Sequence, residues 1–199
     1  MELLLIRHAE PLRVVLQEGP ADPGLHARGR AQAARLAEWL APEQLDGLWT
    51  SPLRRARETA APLADAAGLD PVVDDGIAEY DRGSSEYIPI EELREAKDER
   101  WHDLIGGRYF ERQADAATFA ARVIAALDAI VAGNPGRTIA VICHGGVINH
   151  YACSVLGIEP RLFFEPRYAS ITRIAGSRTG IRSIVSLNET AHLRGLIRP

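Results

Sequence analysis

Residues 138–143 read Thr-Ile-Ala-Val-Ile-Cys, a continuous β-branched apolar run that stops at His144-Gly145-Gly146. A run this short with no polar alternation fits a strand buried on both faces, the kind found in parallel sheets covered by helices on either side. The pattern recurs. Residues 2–6 form another apolar run that ends at Arg7-His8, and residues 46–50 read as a further strand, which ends at Ser51-Pro52. Helical patterns lie between these runs. Strands alternating with helices predict an α/β fold: a three-layer α/β/α arrangement with a mostly parallel central sheet.

Residues 9–24 are punctuated by Pro and Gly and read as loop. A helix is expected over 27–41, ended by Pro42. Ser51 and Pro52 fit the N-cap and first position of a helix that runs to 67, kinked near Pro62 and closed by Gly68. A short strand is expected at 71–73 and irregular structure over 76–88. Residues 89–105 are helical in pattern but dense in charge, and Gly106-Gly107 breaks them. Asp115 then caps a helix with Phe119, Val123, Leu127 and Ile130 on one stripe. A helix follows Gly146 to about 156, and runs at 170–175 and 181–187 form a hairpin through 176–180. The whole chain, 1–199, is expected to be one domain, with 82–115 inserted as a lid.

Composition narrows function by exclusion. Hydrophobic residues are 46% and charged residues 25% of 199, close to globular averages, so disorder is not expected. A net charge of -4 gives no basic surface for nucleic acid. Met1-Glu2-Leu3-Leu4-Leu5-Ile6 has no basic region and too short an apolar run for a signal peptide. No other run approaches the length of a membrane span, so no membrane partner is expected. Two cysteines, Cys143 and Cys153, are too few for a disulfide framework, and the default compartment is a reducing cytoplasm. His102 and His150 form no metal-ligand spacing with another His or Cys, so neither metal nor cofactor is expected. Nothing in the sequence sets an oligomeric state.

Three strand ends carry reactive or anion-binding side chains: Arg7-His8, the 51–57 segment with Arg54, Arg55 and Arg57, and His144-Gly145-Gly146. In open α/β sheets ligands bind beyond the carboxyl ends of strands. If these strands are neighbours, imidazole and guanidinium groups converge. The second and third segments also open helices, whose N–H groups favour an anion. Arginine forks and helix N-termini together suit a phosphate. A cysteine phosphatase is excluded, because the position six residues after Cys143 is Asn149 rather than Arg. No Gly-x-x-x-x-Gly-Lys loop is present. Other candidates read as structural: His26 as a helix cap, Gly145-Gly146 as a close backbone approach, and Arg108 and Tyr109 as loop residues or residues of a pocket mouth.

Taken in order, these segments resemble the histidine phosphatase superfamily, the phosphoglycerate-mutase-like proteins. Arg7-His8-Ala9-Glu10 resembles the family's opening Arg-His-Gly. The stretch from Ser51 to Ala60 resembles its second motif, and Glu79-Tyr80-Asp81-Arg82-Gly83 its third. Cys143-His144-Gly145-Gly146 resembles the fourth. Asp22-Pro23-Gly24-Leu25, Gly29 with Gln32-Ala33, and the tail Asn188 to His192 also follow the family pattern. The resemblance implies a metal-independent phosphatase that acts on a small phosphorylated substrate. His8 would attack phosphorus and become phosphorylated. Arg7, Arg55, His144 and Gly145 would bind the phosphoryl group, with His144 also catalytic. Glu79 would protonate the leaving alcohol, with Asp81 and Glu86 as rivals, and His144 would be protonated only when the site is filled. Three features depart from the family pattern. Pro11 stands where a hydroxyl is common, no Asn lies between His8 and Asp22, and the third motif lacks its Trp and second Gly. The alternatives are a phosphoglycerate mutase and a phospho-ligand-binding module without turnover.

Overall fold

The computed structural model describes residues 1–105 and 116–197. Its first strand, β1 (Glu2–Arg7), is buried from Leu3 onward. Successive side chains of a strand face opposite ways. Here both directions are apolar: Leu3 and Leu5 enter one core cluster, Leu4 and Ile6 the other. A strand of this kind is stable only between two covering layers. The elements that follow are β2 (Val14–Val15), α1 (Ala27–Leu40), β3 (Gly47–Thr50), α2 (Arg54–Ala67), β4 (Val72–Val73), β5 (Glu86–Tyr87), α3 (Ile90–Glu95) and α4 (Glu99–Ile105). Then come α5 (Ala116–Gly133), β6 (Thr138–Cys143), α6 (Gly145–Leu156), β7 (Ile171–Gly176) and β8 (Arg182–Glu189).

Six strands form one sheet in the order β4-β3-β6-β1-β7-β8. The first four run parallel to one another, and β7 and β8 are antiparallel. α1 and α2 cover one face, where Leu36, Leu40 and Leu63 join Leu4, Ile6 and Ile142. α5 and α6 cover the other through Phe119, Val123, Leu127, Val147 and Tyr151. The expected three-layer α/β architecture is therefore present, with the hairpin at its antiparallel edge.

Register decides what meets at the carboxyl edge. Arg7 pairs with Cys143, and Thr50 with Ile142. His8 N–H extends the ladder to Cys143 O (2.9 Å), and Ser51 N–H does so to Ile142 O (3.0 Å). Because β6 lies between β1 and β3, the residues after the three strands leave the sheet side by side. These are His8, Ser51 and His144.

Several local expectations are corrected. α2 begins at Arg54 with Leu53 as its cap residue, not at Ser51-Pro52, though it ends as expected at Ala67 before Gly68. The loop over 9–24 and the irregular 76–88 each contribute a two-residue strand, pairing Val14 with Tyr87 in a second small sheet. The helix expected over 89–105 is two helices. Lys97 adopts φ 51° between them, and the Asp98 side chain accepts from Arg100 N–H (2.9 Å), which starts the second. One apolar helix does reach spanning length: α5 has a mean hydropathy of 1.6 over 18 residues. Its stripe of Phe119, Val123, Leu127 and Ile130 is buried against the sheet, and that packing accounts for its composition. Gly106-Gly107, Arg108, Tyr109 and Asp115 lie outside the described residues, as does 106–115 of the expected lid.

Two sequence signals acquire a local cause. His26 caps α1, its ring nitrogen accepting from Arg28 N–H (3.2 Å). Gly29 brings α1 against the chain after β1, where a Cβ would run into the Glu10 carbonyl oxygen. That contact packs α1 beside the His8 strand end.

Candidate active site

A cavity of about 650 Å³ opens at the carboxyl edge of the sheet. Arg7 and His8 enter it from the end of β1, Arg55 from the first turn of α2, and Gly145 from the start of α6. Glu79 reaches it from the bend between two 3₁₀ turns, Asp75–Ile77 and Tyr80–Gly83. His144 does not itself line the cavity. It stands one layer behind His8, with ring centroids 5.1 Å apart. The structure thus brings all six expected site residues into one neighbourhood.

His8 is held in one orientation. Its Nδ1 lies 2.8 Å from the Ala9 carbonyl oxygen, to which it can only donate. The proton is then on Nδ1, and Nε2 carries the free lone pair. Burial pushes the ring well below the ordinary histidine range, and the cations of Arg55 and Arg7 push it further. His8 is therefore neutral at neutral pH. Tyr87 and Tyr168 flank the ring at 6.4 and 5.6 Å between centroids.

Behind it, His144 Nε2 sits 2.7 Å from Ser51 Oγ, while Nδ1 has no protein partner. Burial again lowers its pKa far below the usual range, followed by Arg55, His8 and Arg7. A neutral ring that accepts the Ser51 hydroxyl at Nε2 carries its own proton on Nδ1. Ser51 also accepts from Leu53 N–H (3.3 Å), so its oxygen links the ring to the start of α2.

The two arginines are braced from the side. Arg7 Nη1 donates to Pro166 O (2.6 Å), and its guanidinium lies 3.9 Å above the Tyr168 ring. Arg55 is 1% exposed and donates through Nη2 to both Asp81 oxygens (2.7 and 3.0 Å). Arg7 Nε, Arg55 Nε and Arg55 Nη1 are buried with no protein acceptor. A buried donor left unpaired costs about 1–3 kcal/mol, so three of them beside a neutral imidazole form a ready anion site.

Glu79 is fixed by backbone. It accepts from Gly146 N–H (2.8 Å) and from Tyr80 N–H (3.2 Å). Gly146 permits this approach, since a Cβ there would collide with the carboxylate. Burial and the neighbouring Asp81 charge push the carboxyl up to about 7, against the pull of these bonds and of Arg55. The other two acids are engaged with cations: Asp81 on Arg55 and Glu86 on Arg100 (2.6 Å). Among the described residues no group of His, Cys, Asp or Glu is arranged to hold a metal ion.

Sequence reasoning missed Ser51 as the partner of His144, the two tyrosines around His8, and Asn149. Asn149 Oδ1 accepts from Phe163 N–H (3.0 Å), and its Nδ2 donates to Phe164 O and Gly145 O (both 3.0 Å). It ties the 162–166 wall of the cavity to α6. The tail positions find structural work. Asn188 Oδ1 accepts from Arg167 N–H (2.7 Å), and His192 bonds Ala169 O (2.9 Å). Ala169 takes φ 57°, unusual for a residue with a Cβ, and gives its N–H to Arg7 O (3.0 Å).

A family model described as the histidine phosphatase superfamily, branch 1, matches residues 3–190. Phosphoserine phosphatase 1 of Hydrogenobacter thermophilus is 30% identical over 202 residues, covering 97% of this chain and 94% of the relative. A probable phosphoglycerate mutase of Yersinia enterocolitica is 29% identical over 206 residues, covering 97% and 95%. Among solved structures, a phosphoserine phosphatase of Entamoeba histolytica in complex with 3-phosphoglyceric acid superposes with a TM-score of 0.74 at 25% identity, covering 96% of this chain and 98% of that one.

Proposed function

This chain belongs to the histidine phosphatase superfamily, and from that premise we propose that it hydrolyses a phosphomonoester through a phosphohistidine formed on His8. The observation that carries the reading is the set of buried, unpaired donors on Arg7 and Arg55 around a ring whose Nε2 is free. A phosphoryl group satisfies those donors and meets the nucleophile at the same place.

Nε2 of His8 attacks phosphorus in line. The N–P bond forms as the ester P–O bond breaks, and charge spreads over three oxygens. Arg7, Arg55 and the N-terminal turn of α6 at Gly145 hold those oxygens, and His144 supports the His8 ring from behind. Glu79, about half protonated at neutral pH, gives its proton to the departing alkoxide. Water then attacks phosphorus, Glu79 takes a proton from it, and the N–P bond breaks to release inorganic phosphate. Asp81 and Glu86 are weaker candidates for the acid, because each already neutralises a guanidinium. His144 stays neutral in the empty site and gains a proton only beside a bound phosphate dianion. Residues over 82–105 form the outer wall of the cavity, in keeping with a lid. The two thiols, Cys143 and Cys153, are buried and free, which fits a reducing cytoplasm.

The mutase alternative is favoured by the likeness to a probable phosphoglycerate mutase. One experiment separates the readings. The protein is mixed with a panel of phosphomonoesters, including both phosphoglycerates, and quenched in alkali within one turnover. We expect free phosphate at steady state and an acid-labile phosphoryl group mapped to His8, absent in His8→Ala. Interconversion of the phosphoglycerates without phosphate release would establish the mutase. Phosphate binding with no turnover of any ester would establish the binding module.

A further inference from the structure

The cavity is far larger than its phosphate end. At about 650 Å³ it falls in the range that encloses drug-sized ligands, roughly 300–1,000 Å³. A phosphoryl group with a three-carbon acid would leave most of it empty. The outer wall is aromatic and aliphatic: Ile88, Ile90, Leu93, Trp101, Phe163 and Phe164 all face it. Phe163 and Phe164 stand 4.9 Å apart and tilted 55°, so they present a continuous apolar surface.

The charges beyond the phosphate end do not suit a substrate carboxylate. Among the described residues they are Arg100, Glu86 and Glu165. Arg100 gives Nη1 to Glu86 (2.6 Å), and Nε and Nη2 to Asp98 (2.8 Å each), so its single positive charge is already shared by two carboxylates. Glu165 keeps one buried oxygen with no partner, and its other oxygen lies 3.8 Å from Arg94. Among the described residues, the outer cavity therefore has surplus negative charge and no uncommitted cation. A carboxylate placed there would have to displace Glu86 or Asp98 from Arg100. An apolar group meets no such obstacle and gains the burial of its own surface.

From these observations, and resting on the phosphatase reading above, we infer that the preferred substrate is a phosphomonoester of a bulky, uncharged, ring-bearing alcohol rather than of a small carboxylic acid. The phosphoryl group sits on Arg7 and Arg55, and the ring lies against Trp101, Phe163 and Phe164.

The test compares 2-phenylethyl phosphate with phosphoserine and 3-phosphoglycerate on the full chain. All three are alkyl esters, so an activated aryl leaving group does not confuse the result. We expect kcat/KM for the phenylethyl ester to exceed both others by about tenfold or more, from the extra apolar surface buried. Trp101→Ala should reduce that advantage several-fold while inhibition by inorganic phosphate stays unchanged. Phe163→Ala serves the same purpose if Trp101→Ala does not fold. Preference for phosphoserine or 3-phosphoglycerate, or an advantage untouched by both substitutions, overturns the inference and leaves the phosphatase reading standing. Failure of the phosphatase reading looks different, since no ester is then turned over at all.

Discussion

The two ends of the cavity are built on opposite plans. At the inner end, His8 and Arg7 leave β1, Arg55 follows β3 by way of Ser51, and His144 and Gly145 follow β6. The sheet register sets their spacing, and Arg7, His8, Arg55, Glu79 and His144 are all buried. The outer end comes from excursions between the strands, 84–101 and 162–166, whose Trp101, Phe163 and Phe164 are only half-buried. Charged and hydrogen-bonding groups line the inner end, and mostly apolar side chains line the outer. A catalytic geometry anchored to a parallel sheet can stay constant while the excursions change which alcohol is admitted. The reaction thus belongs to the topology and the selectivity to the segments laid over it.

Removing the proposed nucleophile is the harshest way to break that division. His8→Ala should lower kcat at least about a thousandfold for every ester, large or small, since loss of a nucleophile removes most of the catalysis. Binding of inorganic phosphate, read by calorimetry, should persist because Arg7 and Arg55 remain. A loss confined to the bulky esters would show that His8 belongs to the selective end instead.

Glu79→Gln should lower kcat by roughly a hundredfold, within the usual range for a general acid. Its pH dependence identifies the role. The carboxyl sits at about 7, so the first step loses its acid as pH rises through neutrality, and kcat/KM falls above about pH 7. The variant should lack that limb. Stability moves as well. The folded-state pKa is raised, so the protonated form is favoured by folding, and stability is lost as pH climbs from the ordinary 4.5 to about 7. The full loss is about 3 kcal/mol. The buried histidines titrate alike in both proteins, so the Glu79 contribution is read as a difference: the urea midpoint of the native chain should fall relative to that of Glu79→Gln between pH 5 and pH 8. Parallel pH dependence in the two proteins would remove Glu79 as the buried acid.

Much of the inner end was legible in the sequence, and little of the outer end. Residues 2–6 and 138–143 betray themselves because a strand buried on both faces has no polar alternation to hide it. The residues that follow such strands are then placed by topology alone, which is how Arg7, His8 and His144 could be read together. Ser51 was misread as a helix cap because its hydroxyl serves His144, a residue 93 positions away that no local pattern reveals. Glu79, Asp81 and Glu86 could not be separated in sequence. Their roles depend on which carboxylate meets a guanidinium, and that is settled by folding. β2 and β5 are two residues each, too short to show any period. Asn149 was noticed only for not being an arginine.

Gly146→Ala disturbs the inner end without removing any functional group. In an ordinary helix the change would stabilise by about 1 kcal/mol. Here the new methyl displaces the Glu79 carboxylate from the Gly146 N–H. A displacement of about 1 Å at a reacting group can cost roughly a hundredfold in rate. We expect a fall approaching that of Glu79→Gln, together with loss of the same pH limb. Near-normal turnover would mean that the carboxylate need not rest on the helix terminus.

The smallest effect is expected where the two ends join. Asn149 is fully buried and binds the wall at Phe163 and Phe164 to Gly145 on α6. Asn149→Ala leaves those backbone groups to find other partners, and the wall becomes freer. Ordering one such side chain on binding costs about 0.5–1.5 kcal/mol, which raises KM by roughly twofold to tenfold for a bulky ester. KM for a small ester should change much less, and kcat little for either, because the phosphoryl contacts are untouched. A control variant that restores an amide, Asn149→Gln, should recover part of the affinity. If instead kcat falls equally for large and small esters, Asn149 positions the reacting end through Gly145, and the two ends of the cavity are coupled rather than separate.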